Sequence, residues 1–254
     1  MKDNMITVCA DERMRGLLCR LPETFERSGT VIYDKRNQIR VIEADCAGIR
    51  RQLNVKRYCV PKWYNRLVYS FVRKPKAVRA YRNAMHLKRL GIGTPEPLAF
   101  IIEKRHGLIG YSYLVTEQIS LFRTFYEFGN GGVDGREHIL IAFARFTAML
   151  HDKGVYHKDY SPGNILFDDN GGKVVFALVD INRMRFGHVG MYDGCANFAR
   201  LWGQRPFFEI VMAEYASVRG FDAARCLEIA LRCRRKFWKR YRKRHEVMFE
   251  LGEL

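Results

Sequence analysis

Over residues 30–60, TVIYDKRNQIRVIEADCAGIRRQLNVKRYCV, β-branched residues recur between polar turns and no helical period holds. This predicts short strands, the last of them ended by Pro61. The period then changes. In 62-KWYNRLVYSFVRK-74, Trp63, Leu67 and Phe71 fall four apart, with Tyr64 and Val68 beside them and basic residues between, predicting an amphipathic helix. A second helix is predicted over 76–91, closed by Gly91 and the turn 93-GTPEP-97. Strands follow around 98–104 and 111–119. After the glycine-rich loop 129–135, a helix is predicted from Arg136 to Lys153, with Ile139, Leu140, Phe143, Phe146 and Leu150 on a wide apolar face and Gly154 as its stop. NILF, the turn 168-DDNGGK-173 and VVFALVD read as a hairpin, since NG and GG at a tip are turn signals. From about 192 to 245 the pattern is helical again and closes in a very basic segment. The chain therefore reads as a strand-rich half with inserted helices followed by a mostly helical half, an α+β protein.

Composition narrows the setting. The 254 residues are 48% hydrophobic, enough for a substantial core in one two-lobed domain or two small ones. The 44 Lys and Arg against 27 Asp and Glu leave a formal charge of +17, which favours a polyanionic partner: nucleic acid, an anionic membrane or a phosphorylated small molecule. A solubilising basic surface is the bland alternative. The 7 cysteines include no CxxC and are odd in number, which predicts a reduced, cytosolic setting rather than a disulfide framework. The opening MKDNMITVCADERMRG lacks the apolar region of a signal peptide, and no uncharged run reaches the ~18 residues of a membrane span.

Candidate chemistry concentrates in 157-HKDYSPGNILF-167 and 178-LVDINRMRF-186. If the hairpin forms, Asn164 at the start of one strand lies near Asp180 at the end of the other, and Asp159 sits in the loop that feeds it. Two such oxygen-bearing side chains can hold Mg²⁺, a hard cation that takes oxygen ligands. The third can orient a hydroxyl and accept its proton. The alternative is a polar loop without chemistry.

On these residues the chain resembles the protein-kinase-like superfamily: HKDYSPGN is similar to the catalytic loop H-R-D-x-x-x-x-N, and VDIN stands where D-F-G is expected. The phrase 90-LGIGTPEPLAF-100, the basic insertion after Lys56 and HKDYSPGNILF…DINRMRFG narrow the resemblance to the lipopolysaccharide core kinases, the Kdo/WaaP family. The resemblance implies a two-lobed kinase-like fold, with residues 1–119 as a strand-rich nucleotide-binding lobe and 120–254 as a helical lobe bearing the catalytic loop. It implies ATP and Mg²⁺, with Asp159 as catalytic base, Asn164 and Asp180 on the metal, Lys56 on the nucleotide phosphates, and the backbone of Glu117 and Ile119 meeting adenine. The implied acceptor is a Kdo or heptose hydroxyl of the lipopolysaccharide core, or a lipid-linked sugar. The implied place is the cytoplasm, peripheral at an anionic membrane on the inner face of the inner membrane, with nucleic acid set aside.

The chain departs from the pattern in three places. No glycine-rich phosphate loop precedes Lys56, the helix 76–90 contains no carboxylate to pair with that lysine, and Ile181 and Asn182 replace the Phe and Gly after the metal-binding Asp. Glu43 is a candidate substitute partner for Lys56, and Arg57 and Lys62 are alternative phosphate contacts. These departures keep open a pseudokinase scaffold, and the basic tail keeps open a kinase for a protein or another small molecule. His157 reads as a brace for its loop rather than a base. The tail 232-RCRRKFWKRYRKRHEVMFE-250 suits either a membrane interface or a helix that tucks its aromatics into the second lobe.

Overall fold

The structure, a computed structural model, describes residues 4–46, 48–130 and 132–250. The chain divides into two compact units, Met1–Ser120 and Leu121–Leu254.

The first unit is built on one antiparallel sheet. In chain order its elements are β1 (Asn4–Cys9), α1 (Arg15–Thr24), β2 (Thr30–Asp34), β3 (Gln38–Cys46), β4 (Ile49–Tyr58), α2 (Trp63–Leu67), α3 (Lys76–Arg89), β5 (Pro97–Arg105) and β6 (Leu108–Glu117). The strands lie in the order β1-β5-β6-β4-β3-β2. Helices cover both faces. On one, Met14, Leu18, Leu21 and Phe25 pack against Leu53, Val55, Ile101, Tyr113 and Val115. On the other, Ala77 of α3 packs with Tyr58, Phe100, Ile102 and Ile109. Side chains alternate along a strand. Lys56 therefore shares the α3 face with Tyr58, and Arg57 faces the α1 side, where its guanidinium lies 4.5 Å from the Phe25 ring centroid and pairs with Glu26.

Two of these elements had no clear signal in the sequence. β1 is a short edge strand whose Met5, Ile6 and Val8 stay largely exposed, and α1 carries Pro22 inside it, which obscures a helical pattern. The amphipathic helix predicted over 62–74 forms only as far as Leu67 and then widens into a π-helical turn, Val68–Val72. Its apolar residues are not buried: Trp63, Phe71 and Val72 are 76%, 74% and 85% exposed.

The second unit contains β7 (Arg123–Thr124), α4 (Glu137–Asp152), β8 (Val155–His157), β9 (Ile165–Asn170), β10 (Lys173–Leu178), β11 (Met184–Phe186), α5 (Met191–Asn197), α6 (Arg205–Arg219) and α7 (Ala223–Tyr241). Its core is aromatic. Phe125 and Phe143 have ring centroids 4.1 Å apart, Phe143 stacks near Tyr160 at 5.9 Å, and Phe198 meets Tyr215 edge-on at 5.3 Å. The long helical stretch predicted from 192 is broken into α5, α6 and α7. Gly220, at φ +65°, ends α6 in the left-handed conformation that glycine adopts without penalty, and the Asp222 side chain accepts from the Arg225 N–H to start α7. Of the aromatics in the basic tail, Trp238 is buried with its ring 5.0 Å from that of Phe249, Phe237 is half-buried and Tyr241 is exposed. Among the described residues no helix is long and apolar enough to cross a membrane.

Candidate active site

Two antiparallel ladders assemble the polar residues of the second unit. β8 pairs with β11, His157 opposite Met184, and the ladder continues as the Lys158 N–H donates to the Arg183 carbonyl at 2.9 Å. β9 pairs with β10 from Ile165 opposite Leu178, and the Val179 N–H donates to the Asn164 carbonyl at 3.0 Å. The first ladder sets Asp159 beside Asn182 and Arg183; the second sets Asn164 beside Asp180. Sequence spacing alone predicts the second juxtaposition, because a tight hairpin has only one way to close. The first needs the short strand β11, which three residues of pattern do not announce.

The loop between the ladders is held from several sides. His157 is buried, accepts the Asp159 N–H at Nδ1 (3.0 Å) and donates from Nε2 to the Val179 carbonyl (3.1 Å). One neutral tautomer satisfies both bonds, and burial lowers the ring's affinity for a second proton. Tyr160 turns into the core and donates to Thr147 of α4 at 2.8 Å. Pro162 is buried, and a Cβ at Gly163 would stand 2.8 Å from the Tyr126 ring, which would have to shift to admit it. The Asn164 amide nitrogen donates to the Asp159 carbonyl at 2.8 Å, which commits the nitrogen and leaves Oδ1 as the amide's acceptor atom.

A buried relay supports the loop from behind. Asn197 donates to the His157 carbonyl at 2.9 Å and accepts from His151 Nε2 at 3.1 Å; His151 Nδ1 accepts from the Tyr215 hydroxyl at 2.8 Å. Arg219 donates to the Tyr215 oxygen at 3.1 Å and pairs with Asp152 at 2.8 Å. Burial pushes the His151 pKa down to about 4, and the positive charges of Arg219 and Arg185 act in the same direction, while the bond to Asn197 opposes them. The sequence showed His151 and His157 only as residues on either side of Gly154; their link runs through Asn197, forty residues further on.

Asp159 itself meets two guanidiniums. Arg200 Nη1 donates to Oδ1 at 2.7 Å, and Arg183 Nη1 stands 3.6 Å from Oδ2. Arg200 is held in turn over the Phe237 ring of α7 at 4.9 Å. Neither arginine was visible as a site residue in the sequence, where 44 basic residues offer no distinction. Asp180 adopts φ +50°, a conformation that costs an L-residue energy and concentrates at functional sites, and its Oδ1 accepts from the Asn182 amide at 2.6 Å. Asn182 thus does what the expected glycine could not, fixing the rotation of the carboxylate. Asn164 and Asp180 offer one neutral and one charged oxygen donor, and no group of three or more His, Cys, Asp or Glu suited to a metal occurs among the described residues. That donor set fits Mg²⁺, which keeps water and substrate phosphates as its remaining ligands.

In the first unit, Lys56 lies opposite Ile39 of β3 and Leu114 of β6, with its Nζ 5.4 Å from the Tyr58 ring centroid. Glu43 is opposite Gln52, four residues along β4 from Lys56. At about 3.3 Å per residue that is about 13 Å along the strand, so Glu43 does not stand beside Lys56. Arg57, on the opposite face, is not an alternative phosphate contact. The Glu117 side chain pairs with Arg51 at 2.9 Å and its N–H donates to the Glu96 carbonyl at 2.9 Å, so its own carbonyl is what its backbone can still offer a ligand. The Ile119 carbonyl accepts from the Gln118 side chain at 3.1 Å.

Residues 34–214, well over half of the chain, match the model of the lipopolysaccharide kinase (Kdo/WaaP) family. The chain belongs to that family. It is therefore a kinase, and the lipopolysaccharide kinase fold explains the strand-rich first unit and the helical second. A solved structure of WaaP in complex with acyl carrier protein is similar over 92% of this chain and 99% of that one, at 18% identity and a TM-score of 0.60, a likeness of fold. The kinase domain of PknI from Mycobacterium tuberculosis, as a double mutant, is similar over 78% of this chain and 75% of that one, at 12% identity and a TM-score of 0.43. No curated protein matches the chain.

Proposed function

We propose that this lipopolysaccharide kinase transfers the γ-phosphoryl group of ATP to a sugar hydroxyl of the lipopolysaccharide core. The observation that carries this reading is the pair of ladders that draws Asp159, Asn164 and Asp180 together on a braced loop. Asp159 orients the acceptor hydroxyl and takes its proton as the new O–P bond forms, and the bridging oxygen leaves with its electron pair on ADP. Asn164 and Asp180 are the residues that would hold Mg²⁺, whose charge would neutralise the phosphate oxygens. Lys56 contacts the α and β phosphates, and the backbone of Glu117 and Ile119 meets adenine. The guanidiniums of Arg183 and Arg200 beside Asp159 favour an acceptor that carries its own negative charge, hence Kdo, an acid sugar, over a neutral heptose.

The reading places the kinase as a peripheral protein at the cytoplasmic face of the inner membrane. Its support is the exposed face of Trp63, Phe71 and Val72, flanked by Lys62, Arg73 and Lys74. Since a WaaP was solved with acyl carrier protein, that protein is the second candidate for the same face, and vesicle sedimentation with and without it separates the two.

The test of the reaction is incubation with γ-labelled ATP, Mg²⁺ and a panel of Kdo-terminated and heptose-terminated core oligosaccharides, lipid-linked acceptors and general protein substrates. Label should enter the Kdo-bearing acceptor and should stay in ATP when EDTA is present. Label entering protein alone would refute the sugar acceptor, and no transfer to any acceptor would refute the catalytic assignment.

A further inference from the structure

Within the first unit, the start of β2, the middle of β3 and β4 and the residue after β6 line an open cavity of about 710 Å³, in the range that holds small ligands. Ser28, Thr30, Val41, Glu43, Gln52 and Gln118 stand in its wall, and no Lys, Arg or His does. The strand register fixes which face this is. Ile39 lies opposite Lys56, Val41 opposite Asn54 and Glu43 opposite Gln52, so alternation puts Val41, Glu43 and Gln52 on the same sheet face as Lys56. Gln118 is tied to that end of the sheet: its N–H donates to the Gln52 carbonyl and its side-chain oxygen accepts from the Asn54 amide, both at 2.8 Å. The Glu43 carboxylate has no hydrogen-bond or ion-pair partner among the described residues.

On a chain of formal charge +17, many glutamates of this unit stand against a cation, as in Arg51–Glu117, Arg57–Glu26 and Lys88–Glu96. Here a carboxylate stands in a cavity wall without one, so the cavity suits a neutral part of a ligand rather than its phosphates. An ionised carboxylate only accepts hydrogen bonds, so that neutral part has to bring donors. Val41 beside it offers an apolar surface to a flat ring. Lys56, the phosphate lysine of the proposed reading, lies four residues along the ladder from the level of Glu43, about 13 Å at about 3.3 Å per residue. That separation matches the reach of a nucleotide from its phosphates to the far edge of its base. It also exceeds the Debye length of about 8 Å at physiological salt, so the carboxylate opposes the phosphates little. Gln118 lies between Glu117 and Ile119, whose backbone meets the base in that reading. We propose that Glu43 sets the base specificity of the phosphoryl donor: its carboxylate accepts from an exocyclic amine of a purine, so a nucleotide that carries the amine is preferred over one that lacks it. The amine is that of adenine or of guanine. This inference rests on the phosphotransfer reading and adds to it a residue that the reading does not use.

Calorimetry on the full chain with Mg²⁺ compares two pairs of nucleotides: ATP with purine riboside triphosphate, and GTP with ITP. The members of each pair differ only by the exocyclic amine. In at least one pair the amine-bearing member should bind the parent about tenfold more tightly, as expected for a hydrogen bond to a charged acceptor. Glu43→Ala should bring that ratio down at least about fivefold, and Glu43→Gln, which keeps one acceptor oxygen, should restore part of it. Glu43 is exposed, so both variants should keep the Tm of the parent. Glu23→Ala, which removes an exposed carboxylate from α1, should leave the ratio unchanged. A ratio that depends on Glu43 in the ATP pair assigns adenine, and one in the GTP pair assigns guanine. If Glu43→Ala leaves both ratios as they are in the parent, the role of Glu43 is overturned while the nucleotide site stands. If no nucleotide binds the parent saturably, the phosphotransfer reading fails and this inference falls with it.

Discussion

Polar groups in the loop from His157 to Asn164 are held on every side: a buried imidazole bonded at both nitrogens, a tyrosine anchored in α4, and a carboxylate against Arg200. The segment from Trp63 to Val72 is arranged in the opposite sense, with its largest apolar side chains in solvent and its helix relaxed into a π turn. Two polar anchors fix that segment, both at Ile109: Arg66 donates to its carbonyl at 2.9 Å, and the Ser70 hydroxyl accepts its N–H at 2.9 Å. Both regions spend folding free energy, but on different things. Holding charge in place lets the loop stabilise a transition state without reorganising. Leaving apolar area exposed keeps the helical segment available to a surface that does not belong to the fold.

The comparison is broken most sharply at Asp159. Asp159→Asn should lower phosphoryl transfer by about 10²–10⁴-fold while nucleotide binding persists, because the general-base contribution is lost and the frame remains. A rate near that of the parent, measured with ATP and the sugar acceptor, would move the role of base elsewhere.

Next in size is an effect of acid on the loop's support. His151 titrates near 4 in the folded chain and near 6.5 when unfolded, so between these values the unfolded chain binds more protons. Stability is therefore greatest above pH 6.5 and falls as pH drops toward 4, by on the order of 2 kcal/mol at pH 5. The burial of His157 acts with the same sign. Urea unfolding at pH 7.5 and pH 5 reads this directly, and a midpoint unchanged between them would mean that the relay is solvated.

Asn197→Ala removes the middle of that relay and leaves the His157 carbonyl and the His151 Nε2–H buried without their partner. The expected cost is about 2 kcal/mol, seen as a drop of several degrees in Tm together with a loss of activity through the loop. If only Tm falls and kcat holds, the loop is braced sufficiently from its other sides.

The smallest stability effect belongs to the exposed segment. Trp63→Ala with Phe71→Ala should change stability by less than about 0.5 kcal/mol, since the two side chains are 76% and 74% exposed, yet should reduce sedimentation with anionic vesicles. Arg66 has to be left alone in charge-removal variants, because its guanidinium braces the segment. A loss of more than about 2 kcal/mol would show that the rings are packed after all and would end the contrast between the regions.

The residues with local reach were legible in the sequence. Hairpin chemistry at DDNGGK forces Asn164 and Asp180 together, Gly154 ends α4, and the H-x-D spacing lets His157 bond to the N–H of Asp159; each depends on contacts within a few residues or across one turn, where covalent geometry leaves few alternatives. The same locality made the kinase resemblance readable and the family assignment sound. Arg183 and Arg200 on Asp159, Asn197 between two histidines, and the cavity that joins Glu43 to Gln118 were decided by tertiary structure alone. Their partners are distant in sequence, and a polar side chain has no periodic signature of its own, so only the packing of aromatic cores and sheet faces determines which of the many charged groups meets which partner or cavity. For the same reason the sequence marked 62–74 as amphipathic but could not say whether its apolar face would be covered: amphipathicity is a property of the segment, and burial is a property of what packs against it.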